Sequence, residues 1–170
     1  DAAGVAHLLA PSVEEMYPGG AVLTTVSVAE LSADMEGASR PTHFAGVATV
    51  VAKLFSIVGP CHACFGEKDF QQLQLVEGLT QAFFLDTEIV RCPTVREPDG
   101  LAMSSRNRRL GPAERAKAPD FHRVLAESLA SGSSAREAQA ALAREGFEVE
   151  YVADRDGRRL GAVRLGGVRL

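Results

Sequence analysis

Residues 61–72 read CHACFGEKDFQQ, and this stretch decides which fold the sequence predicts. Cys61 to Phe65 has the small and apolar residues of a short strand, and Gly66 ends it. The spacing of apolar residues from Asp69 to Phe84 predicts a helix, and Glu88 to Cys92 predicts the next strand. A strand, a tight turn, a helix and a further strand indicate a βαβ unit of a parallel α/β sheet.

The segments on the amino-terminal side extend this alternation. Val22 to Val28 alternates apolar residues with threonine and serine, which predicts another strand. Residues 36–43 are polar and rich in turn formers, and Phe44 to Val58 has apolar residues at helical spacing with few charges. We therefore expect residues 1–94 to form a domain in which a buried helix packs against the sheet.

The carboxyl-terminal side has a different pattern, with a loop over residues 94–109 followed by amphipathic helices and short strands. Pro119 divides the first helical stretch into two pieces, and Ser134 is a candidate cap of a helix that runs to Glu145. Three segments predict strands, the first two joined by the hairpin dipeptide Asp156-Gly157: Phe147–Val152, Leu160–Leu165 and Val168–Leu170. Residues 95–170 are therefore predicted to form a small α+β domain.

Composition and charge exclude several classes of protein. The chain has 170 residues, 46% of them apolar, and no apolar run reaches the ~18 residues that a membrane span needs. Residues 1–94 have 4 basic and 11 acidic side chains (net −7), and residues 95–170 have 14 and 11 (net +3). This balance argues against general nucleic-acid binding but allows a local basic wall for a phosphate. Three cysteines are too few for a disulfide framework, so we expect a cytoplasmic protein.

The turn after the first quoted strand is a candidate site. Gly66 permits close backbone approach and unusual φ and ψ angles, Lys68 offers a mobile positive charge, and Asp69 can cap the following helix. A lysine at a strand-to-helix turn suits a polyphosphate because the helix N-terminus adds its own positive field. Gln72 lies about one turn further on and can present its amide to the same cleft. The alternative interpretation is a well-capped turn with a solvated lysine.

A second candidate site is the segment Met103-Ser104-Ser105-Arg106. Two hydroxyl groups followed by a guanidinium make a loop that can hold a phosphate, because the serines donate hydrogen bonds and Arg106 can bind phosphate oxygens in a bidentate way. The alternative interpretation is a polar loop between two domains.

Other polar residues are weaker candidates. His43, in a loop with Arg40 that enters a helix, could contact a ligand, act as a base or cap that helix. Cys61 and Cys64 have Cys-x-x-Cys spacing but lack a second pair of ligands, so no metal site is predicted there. Four acidic residues without a neighbouring histidine are interpreted as solvated side chains: Asp34, Glu36, Asp154 and Asp156.

Four segments are informative together because of their order and spacing. They are RPTHFAGV at 40–47, FGEKDFQQL at 65–73, PTVRE at 93–97 and DGLAMSSRN at 99–107. In this combination the chain resembles the pantothenate synthetase (pantoate–β-alanine ligase) family over essentially its whole length. The resemblance implies an α/β fold: the second half of a Rossmann-like nucleotidyltransferase domain, followed by a small α+β domain that closes over the nucleotide.

The resemblance also implies an ATP-dependent ligase that condenses pantoate with β-alanine. ATP and pantoate would give pantoyl adenylate and pyrophosphate, and β-alanine would then displace AMP to give pantothenate. Lys68 and Arg106 are the catalytic residues that the resemblance implies, Gln72 would bind pantoate, and Arg40 and His43 would support the site. The residues implied to bind ATP, with Mg²⁺ accompanying it, are Gly66, Glu67, Lys68, Asp69, Val95, Met103, Ser104, Ser105 and Arg106.

The chain also departs from the family pattern. The family's N-terminal Met-Gly-x-x-His-x-Gly-His motif, whose histidines bind ATP, is not found in these 170 residues, and the connection from Asp154 to Arg159 is shorter than usual. We therefore expect an interior portion of such an enzyme, inactive by itself and, by resemblance, a homodimer. Two alternatives stay open: another adenylyl-transferring enzyme of the same superfamily, or a catalytically inactive nucleotide-binding or dimerisation module.

Overall fold

The computed structural model describes residues 4–20, 24–28 and 34–170. We call the described residues up to Thr94 the N-lobe and residues 95–170 the C-lobe. No helix within the described ranges is long and apolar enough to cross a lipid bilayer. The N-lobe contains α1 (Val13–Met16), α2 (Met35–Ser39), α3 (His43–Val58), β1 (Cys61–Gly66), a 3₁₀ turn (Glu67–Asp69), α4 (Phe70–Ala82) and β2 (Thr87–Cys92).

The βαβ unit predicted from residues 61–92 is confirmed. β1 and β2 pair in parallel, from Cys61 opposite Thr87 to Gly66 opposite Cys92. The predicted helices are present as α3 and α4, although α4 begins at Phe70 because the three preceding residues form the 3₁₀ turn. The two helices pack together in one apolar cluster, which Ala63, Phe65 and Ile89 of the sheet also contact: Phe44, Ala48, Val51, Phe55, Leu75, Val76 and Leu79.

The predicted strand Val22–Val28 is wrong for the part that the structure describes. Residues 24–28 have no strand structure, and the preceding two residues lie outside the described ranges. The Val26 backbone amide donates to Thr49 Oγ1 of α3 at 3.1 Å, so a side chain rather than a neighbouring strand satisfies this donor. Val26 and Val28 still pack against the apolar cluster, which explains why their alternation is typical of a strand.

The C-lobe confirms the predicted α+β arrangement. A 3₁₀ turn at Ser105–Arg109 is followed by three helices, α5 (Pro112–Lys117), α6 (Pro119–Ala130) and α7 (Ala135–Arg144). Three strands come next, β3 (Glu148–Arg155), β4 (Arg158–Leu165) and β5 (Val168–Arg169), and they form an antiparallel sheet in the order β3-β4-β5. Pro119 separates α5 from α6, as predicted. Ser134 caps α7 in a capping box with Glu137. Asp156 and Gly157 have φ angles of 51° and 72° in the turn between β3 and β4, as a tight hairpin requires.

The C-lobe has an apolar core of its own. Helices α5 to α7 cover one side of the sheet, and the buried side chains between them are Leu101, Ala118, Val124, Leu142, Phe147, Val163 and Leu165. This cluster is separate from the cluster of the N-lobe. A cleft between two separately packed lobes is a common position for a ligand site.

Ion pairs join the two lobes, and each connects a carboxylate of the N-lobe to an arginine of the C-lobe. The pairs are Asp34 with Arg155 at 2.6 Å, Glu67 with Arg158 at 2.8 Å, and Glu36 with Arg169 at 3.3 Å. The acidic excess of residues 1–94 and the basic excess of residues 95–170 therefore meet at this seam.

The interpretation of four acidic residues as solvated side chains is wrong for Glu36, whose side chain is 19% exposed. Asp34, Asp154 and Asp156 keep exposed side chains, although each has a protein partner. Asp34 and Glu36 pair across the seam, as described above. Asp154 accepts two hydrogen bonds from Arg159 at 2.8 Å, and Asp156 accepts one from Gln74 Nε2 at 2.9 Å. The partners Arg155 of Asp34, Gln74 of Asp156 and Arg169 of Glu36 are distant in the sequence, so no local pattern could identify them, whereas Glu36 also pairs with Arg40 four residues further on.

Candidate active site

A cavity of about 410 Å³ lies between the lobes. Its N-lobe wall includes the 3₁₀ turn Glu67–Asp69 and the start of α4, and its C-lobe wall includes Ser104, α6 and β4. The predicted site residues that line it are His43, Glu67, Lys68, Asp69, Gln72, Ser104 and Arg106. The fold therefore brings the two predicted phosphate-binding segments to one cavity.

The remaining predicted site residues lie beside the cavity without lining it: Arg40, Gly66, Val95, Met103 and Ser105. Gly66 has φ −77° and ψ 133°, and a Cβ atom there would contact nothing within 4 Å. The special backbone conformation predicted for Gly66 is therefore wrong. Asp69 occupies the N-cap position of α4 without a side-chain capping bond, because the 3₁₀ turn leads the chain directly into the helix. The predicted cap is also wrong.

Lys68 contacts the opposite lobe. Its Nζ donates to the Met103 carbonyl oxygen at 3.1 Å. Burial lowers the pKa of Lys68, and the positive charges of Arg106 and Arg96 lower it further, against the opposing effect of Asp69. The like charges on the other wall thus make the ammonium of Lys68 more costly to keep charged, which an anion between the walls would reverse.

The Met103–Arg106 loop is held by its own backbone. The Met103 amide donates to the Val95 carbonyl at 2.9 Å, and Arg96 and Ala102 form an isolated antiparallel bridge. Ser104 Oγ accepts from the Arg106 amide at 3.2 Å. These bonds place the Arg106 side chain on the cavity wall while Val95 and Met103 stay 66% and 52% exposed.

Neither Lys68 nor Arg106 forms an ion pair with a carboxylate of the described ranges. Both therefore present a charge to the cavity that the described protein groups do not neutralise. Two such cations from opposite walls are the arrangement that a polyphosphate requires.

The two glutamines at the start of α4 have different environments. Gln71 is 5% exposed, and its side chain accepts from the Glu36 amide at 2.9 Å and donates to Asp34 Oδ1 at 3.0 Å. Gln72 lines the cavity, and its amide group makes no hydrogen bond with the described residues. Gln72 is therefore the glutamine with an amide available to a substrate, whereas Gln71 connects α4 to the segment before α2.

His43 and Arg40 belong to a charged cluster around Glu36. Arg40 Nη1 donates to Glu36 Oε1 at 2.6 Å, and His43 Nε2 is 3.8 Å from the same oxygen. Burial would raise the pKa of Glu36, but the hydrogen bond from Arg40 and the charge of Arg169 outweigh it and lower that pKa. Burial and the charge of Arg40 lower the pKa of His43. His43 is therefore a neutral group on the cavity wall. Arg40 does not line the cavity, but it pairs with Glu36, which does.

Sequence reasoning missed several charged or polar residues of the cavity wall, among them Arg96, Tyr151, Arg158 and Arg169. Arg96 lies inside the quoted segment at 93–97, so a signal for it was present. Burial and the nearby Glu36 raise the pKa of Tyr151 to about 12, which keeps its hydroxyl protonated. Arg158 and Arg169 lie in a half of the chain with 14 basic residues, and no local pattern distinguishes them from the others.

The described residues contain no group of three or more His, Cys, Asp or Glu side chains that could hold a metal ion. Cys61, Cys64 and Cys92 are free, and along β1 Cys61 is half-buried whereas Cys64 is exposed. The alternation places the two β1 cysteines on different faces of the strand.

A parallel strand-turn-helix unit presents a lysine to a cleft, and a Ser-Ser-Arg loop of a small α+β lobe closes that cleft. This arrangement defines the class as a Rossmann-like, nucleotidyltransferase-type α/β protein, which confirms the predicted fold class. A family model described as Pantoate-beta-alanine ligase matches residues 1–167, and the chain belongs to this family. The predicted resemblance is thereby confirmed.

Named relatives agree with this assignment. The chain is 51% identical over 160 residues to the pantothenate synthetase of Bdellovibrio bacteriovorus, covering 94% of the chain and 62% of the relative. It is 44% identical over 167 residues to the pantothenate synthetase of Legionella pneumophila (strain Corby), covering 98% and 64%. The chain thus spans less than two thirds of the length of these curated relatives.

Solved structures show the same fold. The pantothenate synthetase from Thermus thermophilus matches with a TM-score of 0.88 and 43% identity, over 99% of this chain and 69% of that protein. The pantoate-beta-alanine ligase from Francisella tularensis, complexed with beta-gamma ATP and beta-alanine, matches with a TM-score of 0.83 and 35% identity, over 92% and 59%.

Proposed function

We propose that this protein acts in the ATP-dependent condensation of pantoate with β-alanine to pantothenate, through a pantoyl adenylate, with release of pyrophosphate and AMP. One observation carries the proposal: Lys68 and Arg106, from two lobes, face one cavity without a carboxylate partner in the described part of the chain. The same cavity offers the Gln72 amide, and a relative of this fold binds beta-gamma ATP and beta-alanine.

In the first step, a pantoate carboxylate oxygen attacks the α-phosphorus of ATP, and the bond from that phosphorus to the bridging oxygen breaks. Negative charge accumulates on the departing pyrophosphate, so cations that are already in place stabilise the transition state. Lys68 and Arg106 have this role. The remaining ATP contacts come from Gly66, Glu67, Asp69, Val95, Met103, Ser104 and Ser105, with Gln72 orienting pantoate.

In the second step, the β-alanine amine attacks the acyl carbon and AMP leaves with the electron pair of the C–O bond. Positioning and exclusion of water matter most here, because water would hydrolyse the acyl adenylate. The loop of Met103–Arg106 covers the cleft from the C-lobe side and contacts Lys68, so it serves both steps.

The residues of the 3₁₀ turn Glu67–Asp69 fit a Mg²⁺ ion that arrives with the nucleotide. Mg²⁺ is commonly bound by one or two carboxylates together with substrate phosphates, rather than by a cage of protein ligands. Asp69 lines the cavity next to Lys68 and would supply such a carboxylate, whereas Glu67 is already paired with Arg158. The ion would neutralise part of the triphosphate charge.

We also propose a domain boundary at residues 94/95, a cytoplasmic location and a homodimeric state. The two apolar clusters on either side of residue 94 support the boundary. Three free cysteines are typical of a reducing compartment. Multi-angle light scattering tests the dimer, and a mass equal to one chain would contradict it.

The function is tested by measuring AMP release with ATP, Mg²⁺, pantoate and β-alanine, omitting each in turn. Both the 170-residue chain and a version that includes any residues encoded before Asp1 are assayed. We expect AMP release that requires both pantoate and β-alanine in the longer version. Absence of this dependence would refute the proposal: ATP binding without turnover indicates a nucleotide-binding module, and turnover with a different acid indicates another adenylyl-transferring enzyme.

A further inference from the structure

The turn of the β3–β4 hairpin docks onto the N-lobe through several side chains. Arg155 donates to Asp34 Oδ2 at 2.6 Å, and Gln74 Nε2 donates to Asp156 Oδ2 at 2.9 Å. The contacted residues belong to two separate parts of the N-lobe, the segment before α2 and the helix α4.

Arg158 makes the most specific of these contacts. Its two terminal nitrogens donate to the two Glu67 carboxylate oxygens at 2.8 and 3.2 Å, which is a bidentate pair. Its guanidinium carbon also lies 5.1 Å from the centroid of the Phe70 ring, and Phe70 is buried. Arg158 therefore contacts both ends of the short segment that carries Lys68.

We propose that Arg158 is a positioning residue that holds the Glu67–Phe70 turn, and through it Lys68, in the geometry that binds a nucleotide triphosphate. The role in nucleotide binding rests on the proposed function. The pair has two effects: it fixes the backbone beside Lys68, and it neutralises the Glu67 carboxylate, which would otherwise repel a polyphosphate one residue away.

The chain contains a matched control for this pair. Arg91 also binds Glu77 in a bidentate pair, through Nε at 2.6 Å and Nη2 at 2.7 Å, but both residues belong to the N-lobe. The exposed fractions of the side chains are nearly equal, 48% and 23% for Arg91 and Glu77 against 42% and 20% for Arg158 and Glu67. Arg91→Gln therefore removes a comparable ion pair whose residues do not line the cavity; the charge of Arg91 also acts on Glu67 and Asp156, but less strongly than on Glu77.

The first measurement is amide hydrogen exchange over residues 66–72 without ligand. Arg158→Gln is expected to speed exchange there, Arg158→Lys to speed it less, and Arg91→Gln to leave it unchanged. Arg158→Gln added to Glu67→Gln is expected to speed exchange by less than Arg158→Gln alone, because only the contact with Phe70 is left to lose. Equal exchange in Arg158→Gln and the wild type, or additive effects in the double variant, would overturn the proposal.

The second measurement is calorimetric titration with ATP and Mg²⁺. We expect Arg158→Gln to raise the Kd for ATP about tenfold, the order of one charge-assisted hydrogen-bonded pair, and Arg91→Gln to leave it unchanged. An equal Kd for Arg158→Gln and the wild type would overturn the role in nucleotide binding. If neither the 170-residue chain nor the longer version binds ATP, the proposed function fails, and the exchange comparison alone decides whether Arg158 holds the turn.

Discussion

Two sets of cations line the same cavity, and they differ in what neutralises them. Lys68 and Arg106 have no carboxylate partner in the described part of the chain, whereas Arg158 and Arg169 each pair with a glutamate of the N-lobe. A cation that is matched inside the protein holds the fold, and one that is not matched is available to an anionic ligand. The basic excess of the C-lobe thus serves two purposes that its composition cannot separate.

The pKa values of one cation from each set, Lys68 and Arg169, shift in opposite directions. Burial and the neighbouring arginines lower the pKa of Lys68. Burial acts the same way on Arg169, but hydrogen bonding to Glu150 and the charge of Glu36 outweigh it and raise the pKa of that arginine. The protein therefore stabilises the charge of the paired cation and destabilises that of the unpaired one, which a bound triphosphate would correct.

The largest expected effect is that of Lys68→Ala. Loss of a cation that acts on the transferring phosphate lowers turnover by about 100-fold or more in comparable sites, and ATP affinity falls with it. Because the Lys68 side chain donates only to the Met103 carbonyl among the described groups, thermal unfolding stays near that of the wild type. Calorimetry with ATP and the AMP assay measure the effect, and unchanged values in both would remove Lys68 from the set of ligand-binding cations.

Arg106→Ala is expected to have a smaller but similar effect, a loss of about 10- to 100-fold in turnover with little change in stability. Arg106→Lys keeps the charge but not the bidentate geometry, so it should recover part of the loss. Steady-state AMP release measures both variants. If Arg106→Ala lowered the unfolding temperature as much as a paired arginine does, the distinction between the two sets of cations would be lost.

Arg169→Gln tests the paired set. The Arg169 side chain is 16% exposed, and those of its partners Glu36 and Glu150 are 19% and 16% exposed. Removing one of the two arginines that each carboxylate contacts, while Arg40 stays on Glu36 and Arg164 on Glu150, should cost about 1–3 kcal/mol of unfolding free energy, measured by urea denaturation. The control is Arg164→Gln, because Arg164 pairs with the other oxygen of Glu150 but is 45% exposed. An equal loss in both variants would contradict a special role for the seam.

The elements that the sequence predicts well are those with local causes. The box of Ser134 and Glu137 starts α7, Pro119 separates α5 from α6, and Asp156-Gly157 turns the hairpin. Each of these features depends on residues that are adjacent or three positions apart, so a short stretch of sequence is enough to predict it. The strand predicted around Val26 fails because its backbone donor is satisfied by α3, a contact 23 residues away.

The candidate site likewise contains residues that short motifs predict and residues whose partners are distant in the sequence. Lys68, Gln72, Ser104 and Arg106 lie in short motifs, and the fold brings them to one cavity. The seam depends on partners 91 to 133 residues apart, such as Arg158 with Glu67. Nothing in a single sequence tells which arginines of the C-lobe meet which acids, because that choice is made by the packing of the lobes.

The smallest expected effect concerns His43, which lies beside the paired cluster. Burial and the charge of Arg40 lower its pKa, Arg169 acts in the same direction, and Glu36 and Asp69 oppose them. A histidine with a folded-state pKa below the ordinary 6.5 binds fewer protons in the folded state than in the unfolded state. Its contribution to stability is therefore constant above about pH 6.5 and is lost as the pH falls through the folded-state pKa.

Thermal unfolding measured between about pH 7.5 and about pH 5 checks this expectation. Glu36 does not contribute in this range, because its pKa is also lowered and it affects stability only below its ordinary value of 4.5. His43→Gln should reduce the loss of stability on acidification, and His122, whose pKa burial and Arg96 lower, leaves a residual loss in the same direction. If His43→Gln made the protein more sensitive to acid, the neighbouring acids would have a larger effect on the pKa of His43 than Arg40 and Arg169 have. The cluster around Glu36 would then hold an unmatched negative charge, and Arg169 could not be assigned to the cations that the protein neutralises.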